Sequence, residues 1–257
     1  VISKDLGSAL IFFIVYVLMV FVATKNFLYV LAGAAGGSAA AYVAYQAFSH
    51  VQVRVQAWKD PWSVIDAAGF QITQSLFAIS SGGLFGLGLY KGTPQSIPLV
   101  EADFIFSAIA EELGIIFALC LILICVSCFI MFMNIANRLT DRFYQLTAFG
   151  LGVTYIFQVF LTIGGGTKFI PLTGVTLPLI SYGGSSVLTT LIMFAVIEGL
   201  YIIMLEEEEA QRMEQKKRRR KKKIRQVPAK AEGEDDWDEG NIIQEDDLTG
   251  EDIEQEE

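Results

Sequence analysis

Five stretches of the chain stay apolar for the ~20 residues a helix needs to cross a bilayer: 6–23, 27–48, 105–133, 143–163 and 187–205. The second is rich in glycine and alanine ("LAGAAGGSAAAYVAY"), so a neighbouring backbone can come close to it. Basic residues fall in alternate breaks of this pattern: Lys25, then Arg138 and Arg142, then "KKRRRKKKIR" at 216–225. Lys and Arg in short loops favour the cytoplasmic side. These three breaks therefore read as cytoplasmic, and 49–104 and 164–186 read as facing outward.

Both outer segments are unusual. "FQITQSLFAISSGGLFGLGLY" (70–90) is apolar yet broken by Gly82, Gly83, Gly86 and Gly88, which predicts a helix that dips toward the bilayer and ends at glycines. "GGGTKFIPLTGVTLPLISYGGSS" (164–186) carries Pro171, Pro178 and paired glycines. Irregular backbone at membrane depth survives only inside protein or along a watery cavity, so the two segments predict a cavity open to the outside. The pattern as a whole predicts an all-α, polytopic membrane helix bundle with five transmembrane helices, a large extracellular loop and a cytoplasmic tail. Residues 1–205 form the membrane domain in this reading, and 206–257 a charged, largely disordered tail. "EEEEAQRMEQKKRRRKKK" is rich in helix formers and extends the last helix; after Pro228 the tail is acidic and poor in apolar residues.

Composition adds little to the body of the chain. Mean hydropathy is +0.48, and the net charge of -9 describes the tail, because residues 1–205 are nearly neutral. Three cysteines lie in one apolar run; "CVSC" at 125–128 would sit in hydrocarbon, which argues against redox chemistry and for small apolar packing. "GLFGLGL" does not follow a strand, so it is no dinucleotide fingerprint. The basic run sets topology and attracts anionic lipid; the acidic stretch after it argues against nucleic acid. The chain begins at Val1 with no initiator Met and no signal peptide pattern, and is read as N-terminally incomplete.

Chemistry gathers at "IPLVEADFIFSAIAEELG" (97–114). Asp103 stands at the lip of an apolar helix. It is expected to cap that helix, to serve as a base or cation ligand at the mouth of the cavity, or both. Glu111 lies about 80° around the helix from Asp103, with Ser107 between them, and Glu112 points nearly opposite. A charge in the bilayer core costs about 2.5–3.5 kcal/mol on insertion scales, so Glu112 and Glu198 are expected to hydrogen-bond between helices. Lys4–Asp5 opens the first helix as a surface pair and cap, or as part of the cavity. Arg54, Lys59 and Lys91 are solvated loop cations or partners for an anionic headgroup. Trp58 and Trp62 suit an interfacial aromatic belt. The single histidine, His50, is given no role.

"RVQAWKDPW" (54–62), "GFQITQSLFAISSGGLFGLGLY" (69–90), "DFIFSAIAEELG" (103–114) and "GVTLPLISYGGSS" (174–186) occur in this order, after "DLGSA" at 5–9. Together they closely resemble the SEDS family (FtsW, RodA, SpoVE), over residues 1–205. The resemblance implies the C-terminal half of a ten-helix fold. It implies a peptidoglycan glycosyltransferase that polymerises lipid II into glycan strands at the outer face of the bacterial cytoplasmic membrane, releasing undecaprenyl pyrophosphate with inversion. The family's essential Asp before "FIF" falls on Asp103, and another implicated acid on Asp5. Glu101 and Glu111 are candidate supporting acids or metal ligands, and Arg54, Lys59 and Lys91 candidate pyrophosphate ligands. Gln71, Gln74, Ser75, Ser181, Tyr182, Gly183, Gly184, Ser185 and Ser186 are candidates to line the cavity. A divalent cation (Mg or Mn) is the candidate cofactor, and a class B penicillin-binding protein the implied partner. Two departures stand out. "PLVEADFIF" replaces the family's frequent "PEAHTDFIF", so Glu101 is the acid beside Asp103, where it could raise the pKa of one of the pair. Thr162 replaces an Asn, which puts one polar contact in question. Rival readings are a lipid II flippase and a non-catalytic scaffold of a division or sporulation complex.

Overall fold

The computed structural model describes residues 6–226; Lys4, Asp5 and the acidic stretch after Gln226 lie outside the described residues. The elements are α1 (Leu6–Thr24), α2 (Leu28–Ala47), α3 (Ser49–Lys59), α4 (Phe70–Gly82), α5 (Ile105–Arg138), α6 (Arg142–Gly166) and α7 (Gly184–Gln226). Five of them, α1, α2, α5, α6 and α7, are long and apolar enough to cross a membrane, and no strand occurs among the described residues. Each of the five expected spans is found. The chain divides into two compact units after Ala210. In the second, the helix-forming run is helical as far as Gln226, and Arg218 bonds Glu214 one turn away at 2.6 Å.

The first unit is built on α5, α6 and the start of α7. Phe132, Tyr155 and Phe194, one from each helix, meet edge to face with centroids 5.2–5.8 Å apart. Such pairs add about 0.5–1.5 kcal/mol each beyond their buried area. Around them Ile135, Ala148, Val159, Ile197, Leu200 and Met204 are buried. Two of the three glycines of α2 allow the expected close approach: a Cβ on Gly33 would strike Val17 of α1 at 2.7 Å, and one on Gly37 would strike Phe13 at 2.9 Å, whereas Gly36 faces open space. At the opposite end from Asp103, Asp141 caps α6 by accepting from the N–H of Phe143 (2.7 Å), and Arg138 pairs with Glu208 at 3.4 Å.

The expected reentrant element is α4. It ends at Gly83 (φ 56°), and the chain then runs into a break in α5. Gly114 in α5 has φ 85° and ψ 169°, which interrupts the helical ladder. The glycine loop fills the gap. Leu87 N–H donates to the Glu111 carbonyl and Gly88 N–H to the Glu112 carbonyl, both at 2.9 Å; beyond the break, Ile115 N–H donates to Gly83 (3.0 Å). Backbone groups freed at a helix break in a membrane must find partners within the protein, and here a second segment supplies them.

Glu111 and Glu112 are explained by the same loop. Glu111 Oε1 accepts from Thr93 N–H at 3.0 Å, and Glu112 Oε1 from Tyr90 N–H at 3.1 Å. Glu112 therefore holds loop backbone, not another helix as its position suggested. Glu198 was expected to bond another helix, but it is exposed on α7 and makes no interhelical bond among the described residues.

Ser75 was expected to line a cavity, but it is fully buried. Its hydroxyl lies 2.6 Å from Ser107 Oγ of α5 and donates to Gly166 O of α6 at 2.7 Å, tying three helices together. Ser75→Ala leaves Ser107 and Gly166 unpartnered, and is expected to cost about 1–3 kcal/mol, read as a lower melting temperature in detergent. Ser75→Thr, which keeps the hydroxyl, tests crowding separately.

Candidate active site

The chain between α6 and α7 has no regular structure, yet it is held firmly. Thr162 Oγ1 donates to Val175 O (2.8 Å), Gln158 Nε2 to Thr176 O (3.1 Å) and Ser181 Oγ to Ala102 O (2.5 Å). Tyr182 N–H donates to Glu101 O at 2.8 Å. Thr162 thus makes a polar contact to this segment despite departing from the family's Asn. The segment is stitched to α6 on one side and to the turn before α5 on the other, and Asp103 sits on that turn.

Asp103 does not cap α5. The N-cap is Phe104, and no side chain accepts from the first turn. The turn 97–103, with Leu99 at φ 59°, places Asp103 one residue too early, so its carboxylate is not committed to the helix. It lines a cavity of ≈ 460 Å³ with His50, Val53, Arg54 and Ala57 of α3, Gln71 and Ile72 of α4, and Leu172.

Arg54 is fixed in this cavity. Its Nη1 donates to Leu172 O (3.3 Å) and Thr173 O (3.1 Å). A Cβ on Gly174 would lie 3.7 Å from Asp103 Oδ2 and 3.8 Å from Arg54 Nη2, so acid and guanidinium converge on that glycine. Burial pushes the Asp103 carboxyl above its ordinary 3.8, and the nearby Arg54 charge pulls it partly back. Glu101 was expected to supply a raising influence. It is exposed, and desolvation takes that part.

The remaining candidates separate. Glu111 and Lys91 line another cavity with Gln74, on a different stretch of α4, so Glu111 does not support Asp103. The helical-wheel estimate failed because Asp103 precedes the helix. Lys59 ends α3, exposed, and lines neither cavity. Gly183, Ser185 and Ser186 line a third hollow of ≈ 430 Å³ with Gln158 and Gly174. Tyr182 and Gly184 are exposed, whereas Ser181 is buried and structural: it also accepts from Leu177 N–H at 2.8 Å. Trp58 donates its indole N–H to Lys168 O at 3.2 Å, a tertiary tie and not a free belt position. Asp5 lies outside the described residues.

His50 is the residue that sequence reasoning missed. It lines the Asp103 cavity, its ring packs on Phe48 with centroids 5.5 Å apart, and its Nε2 is buried without a partner. The available signal was its place four residues before Arg54, on the same face of one helix. Among the described residues no three of His, Cys, Asp and Glu cluster to hold a metal. One carboxylate beside a guanidinium is a poor donor set for a resident divalent ion.

Comparison with known proteins places these features. A family model described as a cell cycle protein, for FtsW, RodA and SpoVE, matches residues 1–203. Peptidoglycan glycosyltransferase RodA of Mycobacterium tuberculosis (strain ATCC 25618 / H37Rv) is 41% identical over 197 residues, 77% of this chain and 42% of that protein. The probable peptidoglycan glycosyltransferase FtsW of Bacillus subtilis is 41% identical over 140 residues, 54% of this chain and 35% of that protein. The chain thus spans less than half the length of these relatives. A solved structure described as "Structural coordination of polymerization and crosslinking by a peptidoglycan synthase complex" shares the fold, with a TM-score of 0.66 and 24% identity over 79% of this chain and 57% of that one. With these matches and its five membrane-capable helices, the chain belongs to the FtsW, RodA and SpoVE family and is part of a multi-pass membrane protein.

Proposed function

We propose that the protein is a peptidoglycan glycosyltransferase that polymerises lipid II at the outer face of the bacterial cytoplasmic membrane. The observation that carries this reading is the Asp103 carboxylate, uncommitted to capping and facing a cavity beside a fixed Arg54. The RodA relative is named a peptidoglycan glycosyltransferase and the FtsW relative a probable one, which supports the reading.

The step is a single displacement. A sugar hydroxyl of one lipid-linked unit attacks the anomeric carbon of another. The new C–O bond forms as the bond from that carbon to the pyrophosphate oxygen breaks, with inversion. Asp103 takes the hydroxyl proton, and the Arg54 guanidinium meets the charge gathering on the departing undecaprenyl pyrophosphate. A Mg or Mn ion carried in with the pyrophosphate would add to that charge neutralisation. The basic residues near α1–α2, α5–α6 and 216–225 support a cytoplasmic C-terminus, with the run at 216–225 against anionic lipid. A class B penicillin-binding protein is the proposed partner, in keeping with the synthase complex whose fold the chain shares.

Transfer and transport are separable. Full-length protein in liposomes, given lipid II, is expected to release undecaprenyl pyrophosphate and yield glycan. Lipid II that crosses the bilayer with no pyrophosphate released would make the protein a flippase instead. pH gives a second check. A base works only when ionised, so the rate falls as pH drops through the raised Asp103 pKa, placing the acid limb above 3.8. Arg54 lowers that pKa, so Arg54→Gln moves the limb to higher pH. Loss of its charge stabilisation also lowers the plateau rate on the order of 10²-fold. A limb that stays in place in Arg54→Gln would remove Arg54 from the site.

A further inference from the structure

We propose that the cavity at Glu111 is a second carbohydrate site, which takes one N-acylated amino sugar of a glycan strand. This rests on the polymerase reading, because it assumes that glycan is at hand.

The cavity of ≈ 300 Å³ is bounded by Gln74, Phe77 and Ser81 of α4, the loop residues Lys91 and Ser96, and Glu111 of α5. It shares no lining residue with the Asp103 cavity. Gln71 and Ile72 of α4 line the Asp103 hollow, and Gln74, Phe77 and Ser81, further along the same helix, line this one. Glu111 is 5% exposed. One carboxylate oxygen accepts from Thr93 N–H; the other, Oε2, is buried with no partner. The group is confined as well: a Cβ on Gly92 would come within 2.9 Å of its Cδ. A buried carboxylate oxygen with no donor is costly. Lys91 lines the same cavity but does not pair with Glu111.

The chemistry of the wall selects the ligand. Glu111 accepts O–H or N–H, Gln74 both donates and accepts, Ser96 offers a hydroxyl, and Lys91 offers a cation. Phe77 gives an apolar ring at the rim, steadied by Trp62 at 5.7 Å. Hydroxyls, an acetamido group and an apolar ring face are what an acylated pyranose presents. A metal ion would meet a single carboxylate and a competing ammonium, which is a weaker match. A glycan seated here occupies a hollow separate from that of the reacting centre.

The test is titration of chitotetraose, an N-acetylglucosamine tetramer, into full-length protein in nanodiscs. Wild type and Asp103→Asn are expected to bind with the same Kd. Glu111→Gln keeps the shape and the acceptor for Thr93 but sets an N–H₂ donor where Oε2 was, and is expected to weaken binding at least about tenfold. Gln74→Leu, which leaves the loop clamp untouched, is expected to weaken it severalfold and stands in should Glu111→Gln unfold. Equal Kd values in wild type and both cavity variants would overturn the site, as would binding lost in Asp103→Asn and kept in Glu111→Gln. Mg²⁺ or Ca²⁺ bound through Glu111 with no sugar bound would replace it with a cation site. Sugar binding without polymerisation counts against the Asp103 assignment alone; polymerisation without Glu111-dependent binding removes only this site.

Discussion

Gly114→Ala is expected to leave little folded protein. At φ 85° and ψ 169° the backbone is in a region open essentially to glycine alone. A Cβ there would lie 2.4 Å from both Gly86 N and Leu84 O. Those atoms are backbone of the loop that fills the break, so neither can swing aside as a side chain would. Strain and clash together are expected to cost at least about 3 kcal/mol, and the loss spreads to the bonds from Leu87 and Gly88 that close the break. Gly199→Ala in α7 is the matched control: its Cβ meets nothing within 4 Å, and alanine favours helix by up to about 1 kcal/mol. Melting temperatures in detergent, with folded yield, check both. A Gly114→Ala protein that melts with wild type would mean that the break is not held as described.

Asp103→Asn is expected to remove activity without harming the fold. A positioned general base contributes about 10²–10⁴-fold, and Asn has no basic oxygen to replace it. The substitution loses no cap, because Asp103 makes none. Its charge is a liability to the folded state. A carboxyl raised by burial binds its proton more tightly folded than unfolded. Near pH 3 and below, both states are protonated and the burial carries no penalty; as pH rises through the folded pKa, stability is lost. Asn, neutral at every pH, escapes that loss, so the variant is expected to melt at or above the wild-type temperature at pH 7. Its unfolding profile should also be flatter with pH. A variant that melts well below wild type would show that the carboxylate holds structure after all.

The spans were legible because hydrocarbon imposes one demand, about twenty apolar residues, that sequence displays directly. α4 was legible for a related reason: Gly82 and Gly83 punctuate an apolar run. The helix break at Gly114 was not. "AEELG" keeps helical periodicity across it, and the φ of 85° is set by a loop some 25 residues earlier lodging against Glu111 and Glu112. The position of Asp103 misled for the converse reason. Aspartate before an apolar helix reads as a cap, yet the turn 97–103 is fixed by Ser181 and Tyr182 from a distant segment, which shift the cap to Phe104. Asp103 and Arg54 meet at Gly174, and the carbonyls that fix Arg54, those of Leu172 and Thr173, lie 118 and 119 residues away from it in sequence. No local pattern reports such a meeting: the sequence offers Asp103 at the mouth of an outward cavity and Arg54 as one of three cations able to meet a headgroup, without singling out Arg54. His50 was passed over as a lone histidine, although its spacing from Arg54 already put both on one helix face.

The most direct measurement is the glycan ladder made from fluorescent lipid II by purified full-length protein, with the proposed penicillin-binding protein added, wild type against Asp103→Asn, at matched melting temperatures. A ladder from wild type and none from the variant is the predicted result. Ladders of equal length and intensity from both would contradict the assignment of Asp103 as the base.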